Sequence, residues 1–131
     1  MIVLDTHIIV WDALQPEKIS KKARRMIDRA NDAGEIMIAD ISLWEIAMLM
    51  KRKRLRIDAS YSEFIRLVKS ANHYSIQAIT PEIADLSVSL STEVNLDPAD
   101  RLICATALHL NIPLITADSN LINARSVETS W

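Results

Sequence analysis

Four acidic residues spread along the 131-residue chain, Asp5, Glu45, Asp100 and Asp118, have the chemistry and the settings of a cation site. Asp5 closes the apolar run Met1-Ile2-Val3-Leu4, and Asp118 closes a second, Ile112-Pro113-Leu114-Ile115-Thr116-Ala117, so both fall at the carboxyl ends of expected buried strands. Glu45 and Asp100 fall in the first turns of expected helices. In an open parallel sheet the ligand crevice lies beyond the carboxyl ends of the strands, where helix amino termini also point. Carboxylates converging there repel one another, which predicts a bound cation and at least one carboxyl with a raised pKa. Hard ions such as Mg²⁺ prefer oxygen ligands, keep several waters and take one or two carboxylates each, the rest coming from substrate phosphate. No His or Cys spacing suggests zinc, so the set suits one or two Mg²⁺ or Mn²⁺ ions. Two such ions roughly 4 Å apart activate water and stabilise the leaving oxygen in an in-line displacement at phosphorus, without an amino-acid nucleophile.

Each acid also has a structural explanation. Ser42-Leu43-Trp44-Glu45 has the form of a capping box, in which Glu45 only serves the helix start. Asp97 is the natural N-cap before Pro98, which leaves Asp100 as the third site acid and Asp97 as a water-mediated helper. Asp118 is suited to capping a last helical turn. Asp5 is the hardest to explain structurally, because an acid ending a buried strand must face a polar pocket, a partner or a metal. Nearby, His7 is either a phosphate donor or, more simply, a hydrogen-bonded structural histidine. Arg101 either offsets the acids and touches phosphate or makes a solvated ion pair.

The elements that must position these residues follow from periodicity. Ile8, Ile9, Trp11 and Leu14 predict a short helix from Thr6, its cap, to Leu14, stopped by Pro16. Ser20 opens a helix with Ala23, Met26, Ile27 and Ala30 on one face, and Gly34 ends it at positive φ. Glu35 to Ala39 predicts a strand buried on both faces, followed by a helix from Ser42 to about Arg52. Ser60-Tyr61-Ser62-Glu63 starts the next helix, with Tyr61, Phe64, Ile65 and Val68 as its stripe. Ser75 to Ile79 predicts a third strand, and Thr80-Pro81-Glu82 and Asp97-Pro98 each pair a cap with a proline at the first helical position. After the fourth strand, Ser119 to Asn123 predicts one helical turn and Val127 a short edge strand. Strands alternating with helices imply a parallel sheet with right-handed crossovers, a helix-rich α/β fold.

A chain of this length fits one domain, residues 1–131. Half of it is apolar, with one Gly and four Pro, which disfavours both disorder and a turn-rich all-β fold. No apolar run approaches the roughly 18 residues of a membrane helix, and the single Cys104 suits a reducing compartment, so a cytoplasmic location is expected. Cys104, among Leu102, Ile103 and Ala105, reads as a small buried hydrophobe. The formal charge of −2 hides a segregation: without the four acids the remainder carries +2, and Lys51-Arg52-Lys53-Arg54, followed by Arg56, concentrates it. As a helix end this run complements the dipole.

Asp5 in MIVLDTHIIVW, Glu45 in SLWEIA, Asp100 in LDPADRLICATA and Asp118 in LITADSNL, at these separations, closely resemble the PIN domain, with the VapC-type toxin ribonucleases of bacterial toxin–antitoxin pairs as the nearest subgroup. The resemblance covers essentially the whole chain. It implies a three-layer α/β/α sandwich with a central parallel sheet of four or five strands, a Mg²⁺- or Mn²⁺-dependent endoribonuclease, a homodimer and inhibition by a small antitoxin protein. Asp5, Glu45, Asp100 and Asp118 carry over as the acidic quartet, and Thr116 as the hydroxyl accompanying the fourth acid. The family's aromatic between the paired acids of the third motif is here Ala99. On this reading Lys51, Arg52 and Lys53 flank an RNA path or accept an acidic antitoxin tail. The rivals are a non-catalytic PIN-like binding module, which intact acids argue against, and an aspartate-based receiver or dehalogenase-like phosphatase. The receiver normally adds an acid pair and a late lysine; the phosphatase needs an Asp where this chain has His7.

Overall fold

Five short strands, Ile2–Leu4 (β1), Ile36–Ala39 (β2), Tyr74–Gln77 (β3), Leu114–Ile115 (β4) and Thr129–Ser130 (β5), pair in parallel in the order β3-β2-β1-β4-β5. The coordinates are a computed structural model that describes residues 1–91, 94 and 97–131; Leu96, at the head of the third motif, is outside the described residues. The chain runs outward from β1 through β2 to β3, then returns to the opposite side of β1 for β4 and β5. The strand order therefore reverses between β1 and β4, and the crevice this creates beyond their carboxyl ends holds Asp5 and Thr116.

Strand β1 is continuously apolar because both its faces are covered. Ile2 and Leu4 join a core with Ile8 and Ile9 of the helix Thr6–Leu14 (α1), Ala23 and Ile27 of Lys21–Ala33 (α2), Ile46 of Asp40–Lys51 (α3) and Phe64 and Val68 of Tyr61–Ala71 (α4). Val3 points the other way, into a second core with Ile103, Cys104 and Ala107 of Pro98–Leu110 (α6) and Leu121 of Ser119–Asn123 (α7). Helix Pro81–Ser89 (α5) packs on α6. Two cores on opposite faces of one sheet make the α/β/α sandwich, with five strands.

Most expected caps are present. Ser20 accepts from Ala23 N, Ser60 from Glu63 N and Thr80 from Ile83 N, while Gly34 ends α2 at φ +70°. Two starts differ. Helix α1 is capped by Asp5, whose carboxylate accepts from Thr6 N, so Thr6 is the first helical residue and not the cap. Helix α3 begins at Asp40, directly after β2, with Ala39 as its N-cap. There is thus no capping box at Ser42-Glu45: Ser42 lies within the first turn, fully buried, and Glu45 lies in the second. Asp40, an acid in the first turn, favours the earlier start. Strand β4 is shorter than the apolar run Ile112 to Ala117, and the edge strand lies beyond Val127, which is a buried core residue two positions before β5.

Far from the acids, Asp12 of α1 ties three further elements together. Its side chain, 6% exposed, accepts from Arg24 of α2 at 2.7 Å, from Asn72, and from the Tyr74 hydroxyl of β3 at 3.2 Å. Burial and the neighbouring carboxylate push the Tyr74 phenol well above its usual range, so it donates here. Asp12→Ala leaves these donors without their shared acceptor and is expected to cost about 1–3 kcal/mol. The measurement is a urea midpoint, with m unchanged; a midpoint equal to wild type would show that the network contributes nothing to stability.

Candidate metal centre

Asp5 is 3% exposed, yet both of its carboxylate oxygens have donors. Oδ1 accepts from Thr6 N at 2.8 Å, and Oδ2 accepts from the Thr116 hydroxyl at 2.7 Å. Thr116 in turn accepts from Asp118 N at 3.0 Å, so Asp5, at the end of β1, is joined to the chain leaving β4. His7 completes the tie. Its Nε2 accepts from Ala117 N at 3.1 Å, which leaves the ring proton on Nδ1, 3.5 Å from Asp5 Oδ2. The ring also meets Trp11 edge-on at 4.9 Å between centroids. His7 thus locks α1 to the end of β4.

Thr6 links Asp5 to Glu45. Its hydroxyl lies 2.5 Å from Glu45 Oε1 and 2.9 Å from the Ser42 hydroxyl. A hydroxyl carries one proton, so with Glu45 ionised the Thr6 hydroxyl donates to Glu45 and accepts from Ser42. The Ser-x-x-Glu spacing thus puts both side chains on the helix face that meets Thr6. Sequence reasoning missed this role of Ser42; a hydroxyl directly after Asp5 and another three residues before Glu45 were the available signal.

Glu45, Asp97 and Asp100 form a cluster in which one oxygen of each lies within 4.8 Å of the others. Glu45 is held there by α3, and the other two by the amino terminus of α6, where Asp97 accepts from Ala99 N at 2.8 Å and Asp100 N at 3.4 Å. Both acids of the pair therefore face the crevice, Asp97 while also serving as the expected N-cap. Asp5 and Asp118 are not in this tight trio. Asp118 accepts from Asn120 N at 2.8 Å as the N-cap of α7. Their fields nevertheless overlap at Cys104, one turn beyond Asp100: burial first, then Asp5, Asp100 and Asp118, push its thiol up to about 12, which makes it inert.

The carboxyl of Glu45 rises from 4.5 to about 7. Desolvation is the main cause, opposed by the Thr6 hydrogen bond, with Asp100, Asp5 and Asp97 adding to the rise. One carboxyl is raised, as converging acids predict, but burial outweighs repulsion. An all-oxygen donor set with a partly buried acid that resists ionisation fits a hard divalent cation.

The Arg101 guanidinium donates to Ser87 O at 2.9 Å, Leu90 O at 2.6 Å and Val94 O at 3.3 Å, closing the carboxyl end of α5. The basic run lies at the end of α3, where Arg52 N donates to Met48 O and Lys53 takes a left-handed conformation, φ +57°. From the acids a groove of about 490 Å³ leads towards this end. One wall is α3, with Ile41, Trp44, Glu45, Met48 and Arg52; the other is the start of α6, with Asp97, Pro98 and Ala99.

A parallel sheet in this order, with carboxylates gathered beyond the ends of its central strands, defines the class of small α/β sandwiches built around an acidic crevice. The PIN domain profile matches residues 2–126, and the chain belongs to the PIN domain family. It is 32% identical over 124 residues to Ribonuclease VapC22 of Mycobacterium tuberculosis (strain ATCC 25618 / H37Rv), covering 95% of this chain and 92% of that protein. The fold is shared with VapBC2 from Rickettsia felis bound to a DNA fragment from their promoter (TM-score 0.73, 18% identity, 99% of this chain and 98% of that one). It is also shared with DNA-bound VapBC from Salmonella typhimurium (TM-score 0.72, 12% identity, 98% and 96%). Among the described residues no helix is long and apolar enough to cross a membrane.

The raised Glu45 pKa has a pH consequence. The folded protein binds a proton that the unfolded chain has lost, so the stability of the metal-free protein falls as pH rises from about 4.5 through about 7, then levels. Glu45→Gln removes this dependence and is expected to gain on wild type across that window. Thermal melts against pH in EDTA check it, and parallel curves for the two proteins would rule out the shift.

Proposed function

We propose that this chain is a Mg²⁺- or Mn²⁺-dependent endoribonuclease, the toxin of a toxin–antitoxin pair acting in the cytoplasm, with Asp5, Glu45, Asp100 and Asp118 holding the ion or ions. The observation that carries the reading is the oxygen-only cluster of Glu45, Asp97 and Asp100 beside Asp5 at the strand-order reversal. A bound divalent ion supplies an activated water and charge stabilisation at the phosphorus. The residues do the positioning. Thr116 and Thr6 N fix the Asp5 carboxylate, Thr6 and Ser42 orient Glu45, and Asp97 organises the first turn of α6 so that Asp100 faces the same crevice. In the reaction a water oxygen bonds to phosphorus, the bond to the 3′-oxygen breaks, and the products carry a 5′-phosphate and a 3′-hydroxyl.

The relative from Mycobacterium tuberculosis is a ribonuclease, and neighbours of the fold are toxin–antitoxin complexes, such as one from Klebsiella pneumoniae (TM-score 0.68, 20% identity, 100% and 97% coverage). These support a small antitoxin as partner of this chain. Its inhibition follows from charge: a Lys or Arg entering the crevice replaces the cation. A homodimer is part of the same proposal.

The test is cleavage of RNA by the antitoxin-free protein, expected with Mg²⁺ or Mn²⁺ and absent in EDTA. Asp100→Asn abolishes it. Asp97→Asn keeps the cap, since Asn caps as well as Asp, and as a water-mediated helper loses only about 10- to 100-fold. The reverse pattern would make Asp97 the third ligand; metal-independent cleavage, or none, would overturn the reading.

A further inference from the structure

The groove beside the acids has a lining that holding a cation does not explain. Ile41, Glu45, Met48 and Arg52 are spaced i, i+4, i+7 and i+11, so from Glu45 to the C-cap Arg52 one stripe of α3 runs from acid to apolar surface to base over about 10 Å. Trp44 stands beside this stripe, 56% exposed, although a ring of its size ordinarily finds cover. Across from α3, Pro98 and Ala99 present apolar surface to the groove. At the far end are Arg52 and Arg54, with Lys51 and Lys53 beside them. Among the described residues neither arginine has a carboxylate within 4.0 Å.

We propose that this groove is a nucleotide subsite in which an unpaired RNA base stacks on Trp44 while the adjoining phosphates run to Arg52 and Arg54. The inference rests on the nuclease reading, and it gives the strand a path along α3. Charge complementarity favours RNA over a protein segment. The groove offers fixed cationic groups at one end and an exposed aromatic face beside the carboxylate cluster at the other, which matches neighbouring phosphate and base. In a duplex the base faces are already stacked, so an aromatic platform selects unpaired strands. Unlike a dipole-matched helix end alone, the stripe also accounts for the exposed tryptophan.

The test is binding of short fluorescent oligoribonucleotides, with Ca²⁺ as the ion, to wild type, Trp44→Ala, Trp44→Phe and the Arg52→Ala/Arg54→Ala pair, with melts confirming folding. Trp44→Ala is expected to weaken single-strand binding roughly ten-fold or more, and Trp44→Phe to recover most of it. An abasic nucleotide at one position should weaken wild type and leave Trp44→Ala unaffected. The arginine pair should flatten the slope of log affinity against log salt by about 0.7 for each phosphate that is no longer neutralised. Equal affinities for wild type and Trp44→Ala, or no single-strand binding by wild type, would overturn the subsite, even if cleavage established the nuclease. Trp44-dependent binding without metal-dependent cleavage would instead leave the subsite and remove the nuclease reading. Loss of a protein partner, with RNA binding unchanged in Trp44→Ala, would assign the face to that partner.

Discussion

The buried carboxylate of Asp5 is the constraint on which the site depends. A charged oxygen pair at the end of a central strand is costly unless donors meet it, and each donor here comes from a different part of the chain. Thr6 N belongs to the helix that Asp5 itself starts, and the Thr116 hydroxyl belongs to the chain leaving the strand beside it. His7 stands between them, held by Ala117 N. Satisfying one acid therefore sets where α1 leaves the sheet and how the chain after β4 turns, and that turn presents Asp118. With both Asp5 oxygens met by donors, the neighbouring Glu45 absorbs the consequences of crowding.

Glu45 shows how the site trades stability for chemistry. The charges that act on it, from Asp100, Asp5 and Asp97, are acidic, and the Thr6 hydrogen bond offsets burial and repulsion only in part. Such a carboxyl holds its proton close to neutrality. A divalent ion reverses this preference, and because an unfolded chain offers no formed site, an ion at 100 times its dissociation constant stabilises the fold by about 2.7 kcal/mol. A cationic group of any other kind that reaches the crevice relieves the same repulsion, by an amount set by its own affinity.

The sheet, the helix order and most helix starts were legible in the sequence because each rests on local chemistry: Ser20, Ser60, Thr80 and Asp97 are caps, and Gly34 takes a left-handed turn. The start of α3 was not legible because two signals compete there. Ser42-x-x-Glu45 matches a cap by spacing, but the same spacing places two residues on one helix face, and the tertiary contact with Thr6 decides which meaning applies. Likewise Arg101 follows Asp100 in sequence, and only the packing of α5 on α6 shows that its guanidinium serves the carbonyls of α5. The groove was hidden for a related reason. Reading Lys51 to Arg54 as a charge run obscured that Arg52 continues a stripe beginning at Ile41.

That stripe gives α3 a polarity that matters beyond its own stability. Its amino-terminal half carries Ser42 and Glu45 into the acid cluster, and its carboxyl end carries Arg52 to the other end of the same groove. Helix dipoles favour acids near the start and bases near the end, so the arrangement that suits the helix also builds a gradient of charge along its surface. A polyanion following this gradient meets fixed arginines first and the acids only where a metal ion offsets their charge. Glu45, Asp97 and Asp100 would hold such an ion, which would offset their charge; without it the acidic end repels the phosphate that the basic end attracts. In a chain of net charge −2, attraction of a polyanion is governed by such local ordering of charge and not by the overall sign.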